Sequence, residues 1–427
     1  MTATLTDMDK RSFLRKMGLA AFATPFTMDT LAGLVHEVAD IPPAELARDE
    51  DFWTAIRKGY RLKPDYINFE NGYYNIMPEA VMEKYLAHIR EVNYQGSYYM
   101  RTVQWENKDR MAAMLAELTG CDADEMIVTR NTTESLDLVI MGYPWQAGDE
   151  AVMAEQDYGA MLDMFRQVAE RHGIVNRMVS VPNHPASDEE IVSLYERAIT
   201  PKTKMLMVCH MINITGQILP VRKICEMAHR HGVQVLVDGA HAVAHIGVNL
   251  REMGCDYYGA SLHKWLSVPL GAGMLYVNRK NTATLWPIFG DGPKPKTDIH
   301  RLNHTGTHPV ATDLTIADAI EYFRMIGAER KEARMRYLQH YWTSRVRRLP
   351  NVVVNTPDDA ARSCGIANVG VRTMTPAALA DMLLKKYRIY TVAIDYANVR
   401  GCRISPNVYT SLSDLDALVY ALKELGS

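Results

Sequence analysis

The sequence predicts an α/β fold, with a large domain whose mostly parallel sheet lies between helices and a smaller C-terminal α+β domain. Three observations carry that prediction. Short apolar runs of strand length alternate with amphipathic segments of helix length through the middle of the chain. At 427 residues and 48% hydrophobic content, the chain can bury a large core and divide into two domains. From about residue 311 the alternation gives way to one long helix and then a cluster of short strands. The expected organisation is an N-terminal arm over residues 1–40, a large domain over 41–310 and a small domain over 311–427.

Taken in order, the chain begins with a segment that reads as an address. Lys10, Arg11, Arg15 and Lys16 precede a weakly apolar stretch over residues 17–28, with Ala21, Phe22 and Ala23 as a cleavage site. That order resembles a twin-arginine export signal, although Lys10 stands where the motif has its first arginine. The other reading is an amphipathic helix that packs on a partner subunit. A functional signal implies the periplasm; otherwise the expectation is the cytoplasm.

Pro42 and Pro43 then open a helical stretch that runs to about residue 58. Strands are expected at 126–129, 150–154, 177–181, 205–209 and 233–237. Helices between them are expected at 133–141, 160–171, 189–198 and 222–231. Gly148 and Gly232 fall where turns and helix stops belong. Such alternation argues for parallel strands joined by helical crossovers, with both sheet faces covered. Two more strands follow, one ending near Ser261 and one at 274–277. Beyond residue 311 the pattern predicts a helix over 313–345, strands at 352–354, 365–372, 390–394 and 402–405, and helices at 376–386 and 413–425.

Composition excludes several function classes. Lys+Arg number 47 against 50 Asp+Glu, with no strong basic run, so a nucleic-acid partner is not expected. The six cysteines are scattered without a CxxC pair, which argues against a metal site and a disulfide framework and for buried thiols. No apolar run approaches the roughly 20 residues of a membrane span.

The chemistry is carried by two neighbouring segments. Residues 233–238 are a continuous apolar run that ends in Asp238, followed by Gly239, Ala240 and His241. A buried parallel strand of this kind presents its carboxylate at the edge where open α/β sheets bind ligands. An Asp there stays charged when something cationic pairs with it; otherwise it is a plain helix cap. The second strand leads into Ser261, His263 and Lys264, and then into a turn with Gly271 and Gly273. A lysine at the end of a strand next to Asp238 can form a Schiff base with an aldehyde cofactor of the pyridoxal-phosphate type. Asp238 would then keep the ring nitrogen protonated, making the ring an electron sink. Thr132 and Thr133 lie between a strand and a helix, where hydroxyls and backbone N–H groups receive a phosphate. Ser261 and His263 could supply further donors to it.

Asp238–His241, Ser261–Lys264 and Gly271–Gly273, in that order, resemble the class V aminotransferase family of fold-type I pyridoxal-phosphate enzymes, which includes the cysteine desulfurases. Within it the isopenicillin-N-epimerase-like branch is the most similar. The resemblance runs from about Tyr66 to the C-terminus and implies roles for further residues. Tyr158 matches the aromatic that stacks on the cofactor ring. Asn213 and His241 match residues near the ring hydroxyl, with His241 joining Lys264 and Asp238 as catalytic residues. Thr307 matches a threonine that reaches the phosphate of the neighbouring subunit, implying a homodimer with shared active sites. Arg403 matches the arginine that clamps a substrate α-carboxylate. Asn71 and Gly72 match the loop over the substrate side. Arg403 and Cys402 alternate along a strand and point to opposite faces. Residues 389–400 contain no cysteine, where desulfurases use one to take sulfur, so a desulfurase is disfavoured.

The resemblance implies an amino-acid-like substrate and chemistry at its α-carbon, without fixing which bond breaks. Racemisation needs a second acid on the face opposite Lys264; Tyr73, Tyr74, Tyr98, Tyr99, His304 and His308 are candidates. An aminotransferase or a carbon–sulfur or β-elimination lyase could use the same site. A non-catalytic cofactor-binding sensor is the alternative of another class, and it has no need of a substrate clamp.

Overall fold

The computed structural model describes residues 26–427, so the segment with Lys10, Arg11 and Ala21, Phe22 and Ala23 lies outside the described residues. Strand β1 (Ile67–Asn68) comes first. The next seven form the central sheet: β2 (Met126–Thr129), β3 (Glu150–Ala154), β4 (Val175–Val179), β5 (Thr203–Cys209), β6 (Gln234–Asp238), β7 (Tyr257–Ser261) and β8 (Gly273–Val277). Their order across the sheet is β2-β8-β7-β6-β5-β3-β4. Pairs not involving β8 are parallel, and β8 runs antiparallel to both its neighbours.

The apolar runs of these strands are continuous because both faces are buried. Successive residues alternate between two cores. Val128, Val152, Leu206, Val208, Val235 and Val237 enter one, while Ile127, Ala151, Met205, Met207 and Leu236 enter the other. Helices Thr132–Gly142 and Gly159–His172 contribute to the second core. Strands 126–129 and 150–154 lie where the sequence places them, and the other strands expected in this sheet are displaced at one or both ends by one or two residues.

Three expected elements are interrupted. The helix expected over 313–345 is two, Val310–Ile326 and Ala328–Val346, separated by Gly327 at φ +94°. A polar–apolar pattern without proline reads as one helix, but this backbone conformation ends it. The helical stretch from residue 42 to 58 breaks where Asp49 caps a new helix through Phe52 N–H at 3.0 Å, giving Pro43–Leu46 and Glu50–Arg57. The strand expected over 390–394 is also two, β11 (Ile389–Tyr390) and β12 (Val392–Tyr396). Helices Glu79–Gln95 and Gln104–Thr119 have no counterpart in the sequence reading. The first buries just Ala80 and Val81, so it shows little apolar stripe to detect.

The small C-terminal domain is built on an antiparallel sheet, β12-β13-β10-β9, with β9 (Val352–Val354), β10 (Ala367–Val371) and β13 (Val399–Ile404). Its core gathers Leu338, Trp342, Val369, Leu383, Cys402 and Leu418. Phe69 enters the same core, β1 pairs in parallel with β11, and Glu70 bridges to Ser405. The loop after β1 is therefore stitched to the small domain and carried to the carboxyl edge of the central sheet.

Candidate active site

The site lies along that edge, as open α/β sheets place it. Cys209 is registered beside Asp238, Asp238 beside Gly259, and Ser261 and Thr129 both face Gly273. The reversal between β7 and β8 carries Lys264. A side chain on Gly273 would put its Cβ 2.7 Å from the Asn131 backbone, so this glycine lets the loop before helix Thr132–Gly142 close over the edge.

That helix starts in the pocket. Asn131 caps it through Glu134 N–H at 2.9 Å. Thr132 donates its N–H to Ser261 Oγ at 2.8 Å, and the two hydroxyls lie 2.7 Å apart. Thr133 follows at a position whose N–H has no carbonyl of a preceding turn to donate to. Hydroxyls, N–H groups and the positive end of the helix dipole thus converge, the chemistry that suits an anionic tail.

A cavity of about 370 Å³ opens beyond them. Thr132, Thr133, Tyr158, Asn213, Asp238, His241, Ser261, His263, Lys264, Gly72 and Arg403 line it, as do Tyr73, Arg130, Asn131, Met211 and Leu270. Burial raises the Asp238 carboxyl above its ordinary value, opposed by the Lys264 charge and by the Ala240 N–H at 3.0 Å. Burial lowers Lys264 to about 8, against the pull of Asp238. His241 accepts the Trp265 indole N–H on Nδ1 at 3.3 Å and lies 3.1 Å from Lys264 Nζ through Nε2. Burial, then the charges of Lys264 and Arg403, hold its imidazole well below the usual histidine range.

Arg403 comes from β13 of the small domain, while its neighbour Cys402 points into that domain's core. The guanidinium is already engaged. Nε donates to Glu70 Oε2 at 3.2 Å, Nη2 to Glu70 Oε1, and Nη1 to the Asn213 carbonyl at 3.2 Å. Glu70 does not line the cavity, so it grips Arg403 from behind. Gly72 permits this packing, because a Cβ there would lie 2.8 Å from Arg403 Cζ.

Two expected site residues do not line this chain's cavity. Asn71 does not reach the cavity; its amide binds Ser405 O at 2.7 Å, Asn68 at 2.9 Å and Tyr409 at 2.5 Å, tying the loop to the small domain. Thr307 is exposed and outside this chain's cavity. Of the six tyrosines and histidines weighed as a second acid, Tyr73 alone lines the cavity. Tyr99 is bound by Asn107 at 3.1 Å, and His308 by Asp313 at 2.8 Å. Among the cysteines, Cys209 lines the cavity, with its thiol raised well above the usual range by burial. Burial pushes Cys402 up to about 12. Sequence reasoning passed over Glu70 and Trp265, although both flank motifs it quoted; contact across the fold is what gives them meaning.

The donor set fits a planar cationic ring with an anionic tail. Asp238 forms no ion pair among the described residues. Asn213 Oδ1 and His263 Nδ1 are buried at the cavity without a hydrogen-bond partner, and such atoms call for a ligand. Among the described residues no three His, Cys, Asp or Glu side chains are grouped to hold a metal, and no helix is long and apolar enough to cross a membrane.

Comparison with known proteins supplies the context. The model of the family described as aminotransferase class-V matches residues 76–418. Isopenicillin N epimerase of Streptomyces clavuligerus is 28% identical over 400 residues, covering 87% of this chain and 98% of that protein. Its counterpart in Amycolatopsis lactamdurans is 27% identical over 395 residues, covering 87% and 98%. A solved cysteine desulfurase from Thermococcus onnurineus superposes with a TM-score of 0.77 at 23% identity, covering 87% of this chain and 97% of that one.

Proposed function

The chain belongs to the class V aminotransferase family and is a pyridoxal 5′-phosphate-dependent enzyme, and from that premise we propose that it acts at the α-carbon of an amino acid or amino-acid-containing metabolite, in the manner of an isopenicillin N epimerase. The observation that carries this reading is the meeting of Lys264, Asp238 and the Thr132–Ser261 pair in one cavity with a single substrate-facing arginine from the other domain, Arg403.

When bound, pyridoxal phosphate supplies an aldehyde for Lys264 and a protonated ring that draws electrons from the substrate's α-carbon. The chain's own residues do the rest. Asp238 would hold a proton on the ring nitrogen by its nearby negative charge. Thr132, Thr133, Ser261 and His263 would receive the phosphate, Tyr158 would cover the ring, and Asn213 and His241 would lie by its hydroxyl. Arg403 holds the substrate carboxylate, which fixes the α-C–H bond relative to Lys264. Lys264 Nζ, as the free amine, would take and return the α-proton on its face. In the epimerase reading Tyr73, the candidate second acid that lines the cavity, would deliver the proton on the opposite face. The six cysteines offer no exposed thiol at the cavity, which favours this reading over sulfur transfer.

The same reading includes a homodimer. Leu86, Ile89, Tyr94, Tyr98 and Trp105 expose apolar surface along consecutive helices, as a subunit interface would. Thr307, exposed and away from its own cavity, is free to serve the neighbouring site.

The deciding experiment is α-proton exchange. Holoenzyme is incubated in deuterated water with L- and D-amino acids and followed by NMR and chiral analysis. Exchange with inversion is the expected result. Exchange with retention would overturn the epimerase reading in favour of a transaminase or lyase.

A further inference from the structure

Trp265 follows the lysine directly in sequence, and its position bears on the lysine's chemistry. His241 is enclosed by protein, and burial, the largest cause of its lowered pKa, favours the neutral imidazole. A neutral imidazole carries one proton on one nitrogen. The Trp265 indole can donate but not accept, and it faces Nδ1 at 3.3 Å. Nδ1 is therefore the acceptor, and the proton sits on Nε2. Nε2 in turn lies 3.1 Å from Lys264 Nζ. An ammonium has three donors and no lone pair, so it would set N–H against N–H there. A free amine accepts.

The donors behind this contact run in one direction. Gly365 N–H donates to His245 Nε2 at 2.9 Å, and His245 Nδ1–H donates to the His241 carbonyl at 2.9 Å. The Trp265 ring lies 3.9 Å from that of His245, and Lys331 Nζ donates to the Trp265 carbonyl. The His245 ring thus packs against the indole and Lys331 ties down the Trp265 backbone, with the indole N–H directed at His241.

We propose that Trp265 is a positioning residue which, by fixing the tautomer of His241, weakens the hold of Lys264 on its proton and so favours the free amine in the cofactor-free pocket. This rests on the assignment of Lys264 as the cofactor-bearing residue. The amine lone pair forms the bond to the aldehyde carbon, and the two amine protons leave with the aldehyde oxygen as water. An ammonium has no lone pair with which to begin. The charged groups near Lys264 divide: Asp238 and Glu70 favour its protonated form and Arg403 opposes it, while the buried Cys209 thiol is uncharged. His263 adds a neutral ring, with burial lowering it to about 4. The His241 contact adds to the side of the free amine.

The test is the rate at which cofactor-free protein takes up pyridoxal phosphate, followed by its visible band from pH 6 to 10. Wild type should reach half its limiting rate near pH 8. Trp265→Phe keeps an aromatic ring against His245 but loses the N–H. Its midpoint should move up by about one pH unit, with uptake roughly tenfold slower at pH 7 and unchanged at pH 10. An unmoved midpoint, with the band still forming, overturns the inference. Should Trp265→Phe fail to fold, ¹⁵N NMR of wild-type cofactor-free protein reads the His241 tautomer directly, with His241→Asn to assign the signal. A proton on Nε2 is expected, and one on Nδ1 overturns the inference. Lys264→Ala separates the two readings: a visible band that persists there removes the cofactor assignment and leaves the tautomer untouched.

Discussion

At the scale of single residues, the pocket's arginine is less available than its identity suggests. Glu70 takes one side of the Arg403 guanidinium and the Asn213 carbonyl another donor, so a substrate carboxylate meets an oriented but charge-compensated group. Arg403→Ala should weaken α-amino-acid binding by about 10- to 100-fold, the worth of one or two charge-assisted hydrogen bonds, while cofactor stays bound. Titrating the holoenzyme's spectrum with substrate measures both at once. Tyr73→Phe should keep α-proton exchange with one enantiomer and lose inversion, which chiral analysis of the exchanged product reads. Asp238 and Lys264 were legible in the sequence because a carboxylate ending an apolar strand, and a lysine ending its neighbour, carry their meaning locally. Glu70 and Trp265 were not, since each acts through a partner brought to it by the fold.

At the scale of elements, strands buried on both faces announce themselves as apolar runs, and β2 and β3 lie at their predicted bounds. The helices before them were hidden because exposed apolar residues such as Ile89 and Tyr94 blur the stripe that marks a core-facing helix. Breaks were hidden for another reason: Gly327 ends one helix and starts the next through its backbone angle, which the residue pattern does not encode. A Cβ there would meet ordinary contacts with Arg330, so Gly327→Ala tests the angle alone. It should cost about 1–3 kcal/mol in urea-melt stability. Gly273→Ala differs, because its Cβ would strike the Asn131 backbone at 2.7 Å. Pyridoxal-phosphate affinity should fall along with stability, which equilibrium dialysis would detect.

At the scale of the whole molecule, two buried lysines link stability to pH. Burial lowers Lys264 to about 8 and Lys331 to about 7, from 10.5. Across the window from each folded value to 10.5, the unfolded chain binds a proton that the folded chain lacks, so these groups make stability rise with pH. Lys331→Met removes one of them; cofactor-free wild type should gain on the variant as pH goes from 7 to 10, measured by paired denaturant melts. Sedimentation should report twice the 48.2 kDa chain mass for the homodimer proposed above. The stitching of the loop after β1 to the small domain has a consequence for synthesis. Glu70 leaves the ribosome 333 residues before Arg403, and Phe69 waits as long for most of the core it will join. A nascent chain interrupted after Lys264 therefore carries the aldehyde-binding amine and its carboxylate, yet lacks the arginine that would recognise a substrate. During translation, the residues that would bear the cofactor are made well before the one that would choose what it acts upon.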